Sequence, residues 1–292
     1  MIDAETKLLG VIGAPIAHSL SPALHNYIFR KFRLNYRYHA FQILPPNLAN
    51  ALTAFKTLNF RGINVTIPHK ETIIQYLDNV SDEARKMGAV NTIQLCHDQL
   101  RGYNTDVMGF LKSLGNFRQK LKGKTALILG SGGSARAVIF ALIQDGIGQI
   151  KIYNRTLVNG QKLVELIKTR SDFRNLSAHA LFEGDLSQDS KEAALLVNTT
   201  PVGMMPAVED CPISESIVIP PEILVVDLIY NPLETRLLKR AKAAGAHTIN
   251  GLDMLIFQGL ESLHIWTNLF IDAQRLLPEL RKYLTRRLME NE

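Results

Sequence analysis

The stretch from Lys124 to Thr156 restricts the fold of this chain more than any other. Residues 125–129 are apolar without alternation, as a parallel strand covered on both faces has to be. Gly130, Ser131, Gly132, Gly133, Ser134 and Ala135 follow, and Gly130, Gly132 and Ala135 fit the pattern G-x-G-x-x-A. The first glycine of such a loop allows a tight turn and the second lets backbone approach a pyrophosphate. The small third residue lets helix pack on strand. Residues 135–144 then read as a helix whose N-terminal amides favour phosphate charge, and residues 150–153 as the next strand. That strand ends in Asn154, Arg155 and Thr156, with arginine where an acid selects NAD; an arginine there suits a 2′-phosphate, and Thr156 adds a hydroxyl donor. The implied unit is a βαβ piece of a doubly wound sheet, and the implied ligand is NADP(H). Alone, the loop is equally a glycine turn that binds nothing, and Arg155 a solvated surface arginine. The flanking strands and helix favour the nucleotide site.

Length and apolar content suffice for two ordinary domains, with 292 residues of which 46% are hydrophobic. No apolar run reaches the roughly twenty residues of a membrane span, and the start of the chain lacks the layout of a secretory signal. Cys96 and Cys211 show no metal-ligand spacing, and the expected setting is reduced and cytoplasmic. The net charge of +6 raises a nucleic-acid reading. Basic residues, however, alternate with acids along amphipathic helices, with no aromatic–arginine platform, so a small anionic ligand fits better. His18 and His25 straddle a helix start and suit surface or capping roles better than metal coordination.

Strands and helices alternate, which predicts an α/β protein with largely parallel sheets. In the first part strands are expected at 8–12, 36–43, 62–67 and 90–95, with helices at 22–32, 48–58, 71–77 and 107–114. Residues 116–122 read as a charged connection. Beyond the glycine loop come a helix at 159–168, strands at 177–181, 195–198 and 224–228, a helix at 234–244 and a strand at 247–249. Two apolar helical stretches, 253–272 and 273–288, have no strand of their own to cover. The expected organisation is two-lobed with a cleft: an N-terminal α/β substrate domain, residues 1–106, completed by returning helices in 251–292, and a Rossmann-type domain over 107–250.

Polar residues gather at strand ends in the first lobe. Ser21 and Pro22 read as an N-cap and first helical residue, while Ser19 is not needed for that cap. The two hydroxyls equally suit an anion such as a carboxylate. Asn64 and Thr66 share one face of a strand that Pro68 ends. Lys70 emerges beyond its carboxyl end, where open α/β sheets bind ligands, and a lysine there opposes a helix dipole. Asn91, Thr92, Asn104 and Asp106 add amide and carboxylate groups at further strand ends; for each, a turn or cap is the plain alternative.

Taken in order, Ser19-x-Ser21, Asn64 through Lys70, Ala89-x-Asn91-Thr92, Asn104-Thr-Asp106, the Gly130 loop, Asn154-Arg155-Thr156, Asn198 through Gly203 and Gly251 through Gln258 resemble the shikimate dehydrogenase family, over residues 8–266. The resemblance implies NADP-dependent reduction of 3-dehydroshikimate to shikimate, a step of aromatic amino acid and chorismate biosynthesis. It implies Lys70 and Asp106 at the catalytic centre, Ser19 and Ser21 as carboxylate ligands, and Thr66, Asn91 and Gln258 as partners of ring hydroxyls and the reacting oxygen. Tyr230 matches a tyrosine near substrate. Asp82, Leu228, Gly251 and Met254 match positions near cofactor, beside Gly130, Ser131, Gly132, Gly133, Ser134, Ala135, Asn154, Arg155 and Thr156. The implied partner is a small molecule, with no membrane, nucleic acid or metal, and the chain a monomer or homodimer. Val107, Ser131 and Arg236 depart from the family's common glycine, alanine and proline, which touches loop packing and substrate preference more than reaction class. The alternatives are a quinate/shikimate dehydrogenase with relaxed substrate or NAD use, and a non-catalytic NADP-binding regulatory protein.

Overall fold

The apolar run after Lys7 becomes β1 (Lys7–Gly13), buried from Leu9 onward between two parallel neighbours. The computed structural model describes residues 2–181 and 186–290. The chain divides into two units, Met1–Gly109 with Ile256–Glu292, and Phe110–Leu255. After β1 the first unit continues with α1 (Ser21–Lys31), β2 (Tyr36–Gln42), α2 (Leu48–Thr57), β3 (Gly62–Val65), β4 (Asn79–Val80), α3 (Asp82–Met87), β5 (Thr92–Cys96), β6 (Gln99–Tyr103) and the start of α4 (Asp106–Ser113).

Its sheet has the order β2-β1-β3-β5-β6-β4. It is parallel across β2, β1 and β3 but antiparallel from β3 to β5 and from β5 to β6. The expectation of largely parallel pairing therefore holds only for part of this unit. The hairpin between β5 and β6 turns at His97 and Asp98, both left-handed with φ of 48° and 62°. Glycine or Asn-Gly usually marks such a turn, and neither is present, so β6 had no punctuation to reveal it. The helix expected over 71–77 is a 3₁₀ turn, Thr72–Tyr76.

The second unit opens with the rest of α4 and a 3₁₀ turn, Gly115–Leu121, in place of a bare connection. Then come β7 (Thr125–Leu129), α5 (Gly133–Gln144), β8 (Gln149–Asn154), α6 (Leu157–Arg170), β9 (Leu176–Ala180), α7 (Leu186–Glu192), β10 (Leu195–Asn198), β11 (Leu224–Asp227), α8 (Arg236–Ala243) and β12 (His247–Ile249). Six parallel strands stand in the order β12-β11-β10-β7-β8-β9. This is the doubly wound arrangement, with its reversal of direction between β7 and β10. Ala126, Leu127, Ile128 and Leu129 of β7 are wholly buried, as a strand covered on both faces must be.

α9 (Leu252–Thr267) and α10 (Ala273–Met289) follow. Residues 256–289 belong with the first unit. α10 is amphipathic: Leu276, Leu277, Leu280, Leu284 and Leu288 are buried, while Arg281, Lys282, Arg286 and Arg287 face water. α9 is apolar nearly all round and is mostly buried, as such a helix must be. Its Trp266, the sole tryptophan, lies against the backbone of β3 and donates to the Ile93 carbonyl at 2.9 Å. A Cβ on Gly62 would stand 2.0 Å from the indole nitrogen. Gly62→Ala is therefore expected to destabilise the fold by about 1–3 kcal/mol. Denaturant unfolding followed by Trp266 fluorescence checks this, and an unchanged midpoint would contradict the packing.

Candidate active site

Lys70 and Asp106 meet: Lys70 Nζ donates to Asp106 Oδ2 at 2.7 Å, with side chains only 12% and 6% exposed. Two separate devices bring them together. Past β3, a β-turn with a cis Ile67–Pro68 bond is closed by His69 N donating to the Thr66 carbonyl, and the Lys70 carbonyl accepts from Val90 N at 2.8 Å. Past β6, Asn104 Oδ1 accepts from Asp106 N at 3.0 Å, which places the carboxylate in the first turn of α4, where the dipole favours its charge. Asn91 Nδ2 donates to Asp106 Oδ1 at 2.7 Å. The carboxylate thus accepts from a cation on one oxygen and an amide on the other.

Asn91 itself is 3% exposed and held on both sides. Its Oδ1 accepts from Thr105 N at 2.8 Å, and Gln258 Oε1 of α9 lies 3.4 Å from its Nδ2. Thr66 follows β3 directly, and a Cβ on Gly13 would stand 2.5 Å from its methyl group, so the loop after β1 runs close beside it. That loop carries Ser19 and Ser21. The helix begins one residue earlier than expected: Ser21 is its first residue, Leu20 occupies the cap position, and no side chain caps it. The capping role proposed for Ser21 is therefore corrected, because its hydroxyl lies inside the first turn. Ser21 N instead donates to Ser19 Oγ at 3.3 Å.

The surface or capping role expected for His25 is also corrected. Its ring is fully buried on α1, stacked on Tyr38 at 4.3 Å, and burial pulls its pKa down to about 3. His18 is exposed.

In the second unit the glycine loop joins β7 to α5 at the point of reversal. Gly130 has φ of 105°, and a Cβ there would stand 2.7 Å from Thr199 Oγ1, which itself donates to the Leu129 carbonyl. Protein packing thus requires this glycine. Gly132 is different: among the described residues nothing lies within 4 Å of a Cβ built on it, and it caps α5 with no side-chain acceptor in use. The open space over Gly132, with Ser131, Gly133 and Ser134 around it, fits a pyrophosphate at a helix N-terminus. Ala135 is fully buried and lets α5 sit close on β7. Arg155 and Thr156 stand exposed past the end of β8, Asn154 Nδ2 donates to the Thr156 carbonyl at 2.8 Å, and among the described residues no acid pairs with Arg155. These residues suit the adenosine 2′-phosphate of NADP(H).

Gly251 and Leu228 are brought together, since a Cβ on Gly251 would stand 2.0 Å from the Leu228 carbonyl. Tyr230 is half-buried three residues past β11, and Met254 is buried early in α9, four residues before Gln258. Asp82 belongs to the first unit, exposed in the first turn of α3.

Asp227 is an unforeseen buried acid beside this group. Burial pushes its pKa up to about 6, against hydrogen bonds from Thr235, Ile229 and Asn198. With an ordinary value of 3.8, the native state holds this proton more tightly than the unfolded chain between about pH 4 and 6. This group's contribution therefore makes stability fall as pH rises through that window, then level off. Asp227→Asn is expected to flatten that slope in urea unfolding followed by circular dichroism; an unaltered slope would reject it.

Asn64, Thr92, Thr105, Ser262 and Tyr38 are buried polar residues at the site that the sequence reading did not assign to it. Asn64, Thr92 and Thr105 stand in motifs already noted. Ser262 carried a signal in its position four residues after Gln258 on an otherwise apolar helix. Tyr38 carried none.

The substrate binding domain model of shikimate dehydrogenase matches residues 11–93, and the shikimate / quinate 5-dehydrogenase model matches residues 113–185. Shikimate dehydrogenase (NADP(+)) of Caldanaerobacter subterraneus subsp. tengcongensis is 42% identical over 280 residues, spanning 96% of this chain and 98% of that protein. A crystal structure of a shikimate dehydrogenase in complex with NADP+ superposes with a TM-score of 0.87 at 38% identity, covering 100% of this chain and 97% of the other. The Thermus thermophilus enzyme in complex with NADP(H) and shikimate gives 0.82 at 37% identity, covering 95% and 99%. With its paired lysine and aspartate, its doubly wound nucleotide unit and these relatives, the chain belongs to the shikimate dehydrogenase family.

Proposed function

We propose that this chain catalyses the reversible NADPH-dependent reduction of 3-dehydroshikimate to shikimate. The observation that carries the reading is the Lys70–Asp106 pair, 2.7 Å apart and shielded from water. In the reduction, negative charge grows on the ketone oxygen. The Lys70 ammonium stabilises that charge and delivers the proton to it, while Asp106 holds the ammonium in place. In the oxidative direction the same pair receives the hydroxyl proton. Asn91, Thr66 and Gln258 hold the ring hydroxyls, Ser19 and Ser21 take the carboxylate, and Tyr230 borders the substrate. Asp82, Leu228, Gly251 and Met254 border the cofactor. When bound, NADPH supplies the hydride.

The first unit thus serves the acid and the second the dinucleotide. The intact Lys70–Asp106 pair supports catalysis over a silent nucleotide-binding role. No helix among the described residues is long and apolar enough to cross a membrane. Cys96 and Cys211 are both free thiols, in keeping with a cytoplasmic setting. The test is absorbance at 340 nm with shikimate and NADP+. A substrate-dependent rise is expected, and a flat trace with folded protein would overturn the reading.

A further inference from the structure

Behind Asp106 runs a set of buried polar side chains in which obligate backbone partners fix the orientation of both amides, Asn64 and Asn91. Asn64 Nδ2 faces the Asn91 carbonyl at 3.1 Å, and a carbonyl can only accept. The oxygen of Asn64 must then face Tyr38, whose hydroxyl donates to it at 2.6 Å. At the other end, Asn91 Oδ1 faces the amide of Thr105, which can only donate, so its nitrogen must face the Asp106 carboxylate. Between the two amides, Thr92 Oγ1 accepts from Asn64 Nδ2 at 3.1 Å and donates to Asn91 Oδ1 at 2.9 Å.

The four bonds of this route run in one sense: Tyr38 to Asn64, to Thr92, to Asn91, to the carboxylate. Ser262 Oγ of α9 lies beside this route, 3.0 Å from Asn64 Nδ2, 2.8 Å from Thr92 Oγ1 and 3.0 Å from the Gln258 carbonyl. The four donors are at most 6% exposed, so water does not screen them. The sheet makes the alignment possible. Asn64 on β3 and Thr92 on β5 are directly opposed in antiparallel register, and Thr92 is paired with Tyr103, two residues before Thr105.

We propose that Tyr38, Asn64 and Thr92 are positioning residues of the reaction: a one-way donor chain that fixes the amide of Asn91 and, through it, the Asp106 carboxylate against Lys70. Aligned hydrogen bonds polarise one another, so a hydroxyl three links away strengthens the last bond to the carboxylate. The proposal rests on the shikimate dehydrogenase reading.

Its test is a double-mutant cycle on kcat for shikimate oxidation. Tyr38→Phe and Thr92→Val are each made in the wild type and in Asp106→Asn, with melting temperatures measured in parallel. In the wild-type background Thr92→Val is expected to lower kcat about tenfold and Tyr38→Phe about threefold. In Asp106→Asn both factors shrink toward one, while the losses in melting temperature stay the same in both backgrounds. Equal kcat factors in both backgrounds would show a packing role only and overturn the proposal. Thr92→Ser, which keeps the hydroxyl, is expected to retain wild-type kcat, and a Thr92→Ser enzyme as slow as Thr92→Val overturns it independently of the cycle. A wild type without shikimate-dependent NADPH formation would instead sink the functional reading itself.

Discussion

Lys70→Ala is expected to lower kcat for shikimate oxidation by about 10²–10⁴-fold, the range for loss of a positioned proton donor at a developing oxyanion. NADP+ affinity, measured by titration calorimetry, is expected to stay within about twofold of wild type, because Lys70 and the glycine loop belong to different units of the chain. The substitution also strips Asp106 of its cation at a position 6% exposed, and an unpaired buried charge costs about 3–5 kcal/mol. Lys70→Arg separates the two effects. A guanidinium keeps the charge beside Asp106 but cannot place a single transferable proton as an ammonium does. Lys70→Arg is expected to melt near the wild type while turning over nearly as slowly as Lys70→Ala. Near-normal kcat in either variant would remove Lys70 from the reaction.

Arg155→Ala is expected to weaken NADP+ binding by about 10–100-fold, equivalent to about 1.4–2.8 kcal/mol, in the range of a charge-assisted phosphate contact. NAD+ binding is expected to be unchanged, since NAD+ has no 2′-phosphate for the guanidinium to meet. The structural basis is that Arg155 is exposed past the end of β8, and among the described residues no acid pairs with it. Titration calorimetry with both nucleotides checks this. An equal loss for both would mean that the variant damages the loop instead of the phosphate contact.

The two halves of the chain were legible to different degrees. In the second unit the strands expected at 125–129, 195–198 and 247–249 coincide with β7, β10 and β12. β7 and β10 are buried, nearly continuous apolar runs, as parallel strands covered on both faces must be, whereas β12 is a short edge strand that is largely exposed. The first sheet was harder, because β5 and β6 pair antiparallel through a turn of His97 and Asp98 that lacks glycine. The polar side chains at strand ends were visible as a pattern, and family resemblance gave them roles. The resemblance put Lys70 and Asp106 at one centre and the loop pattern gave Gly130 and Gly132 different tasks, but the 2.7 Å pairing and the Thr199 contact that requires Gly130 came only with the structure.

Local sequence alone determined the periodic elements, the glycine turn and the arginine after β8, since each depends on neighbours within a few residues. Tertiary structure alone decided which hydroxyls and amides share a buried space. Register between β3 and β5 sets Asn64 against Thr92, and the apolar face of α9 delivers Gln258 and Ser262 to the same network. Buried donors and acceptors must all be matched, and such matching is a property of the assembled sheet and helix that no single segment carries.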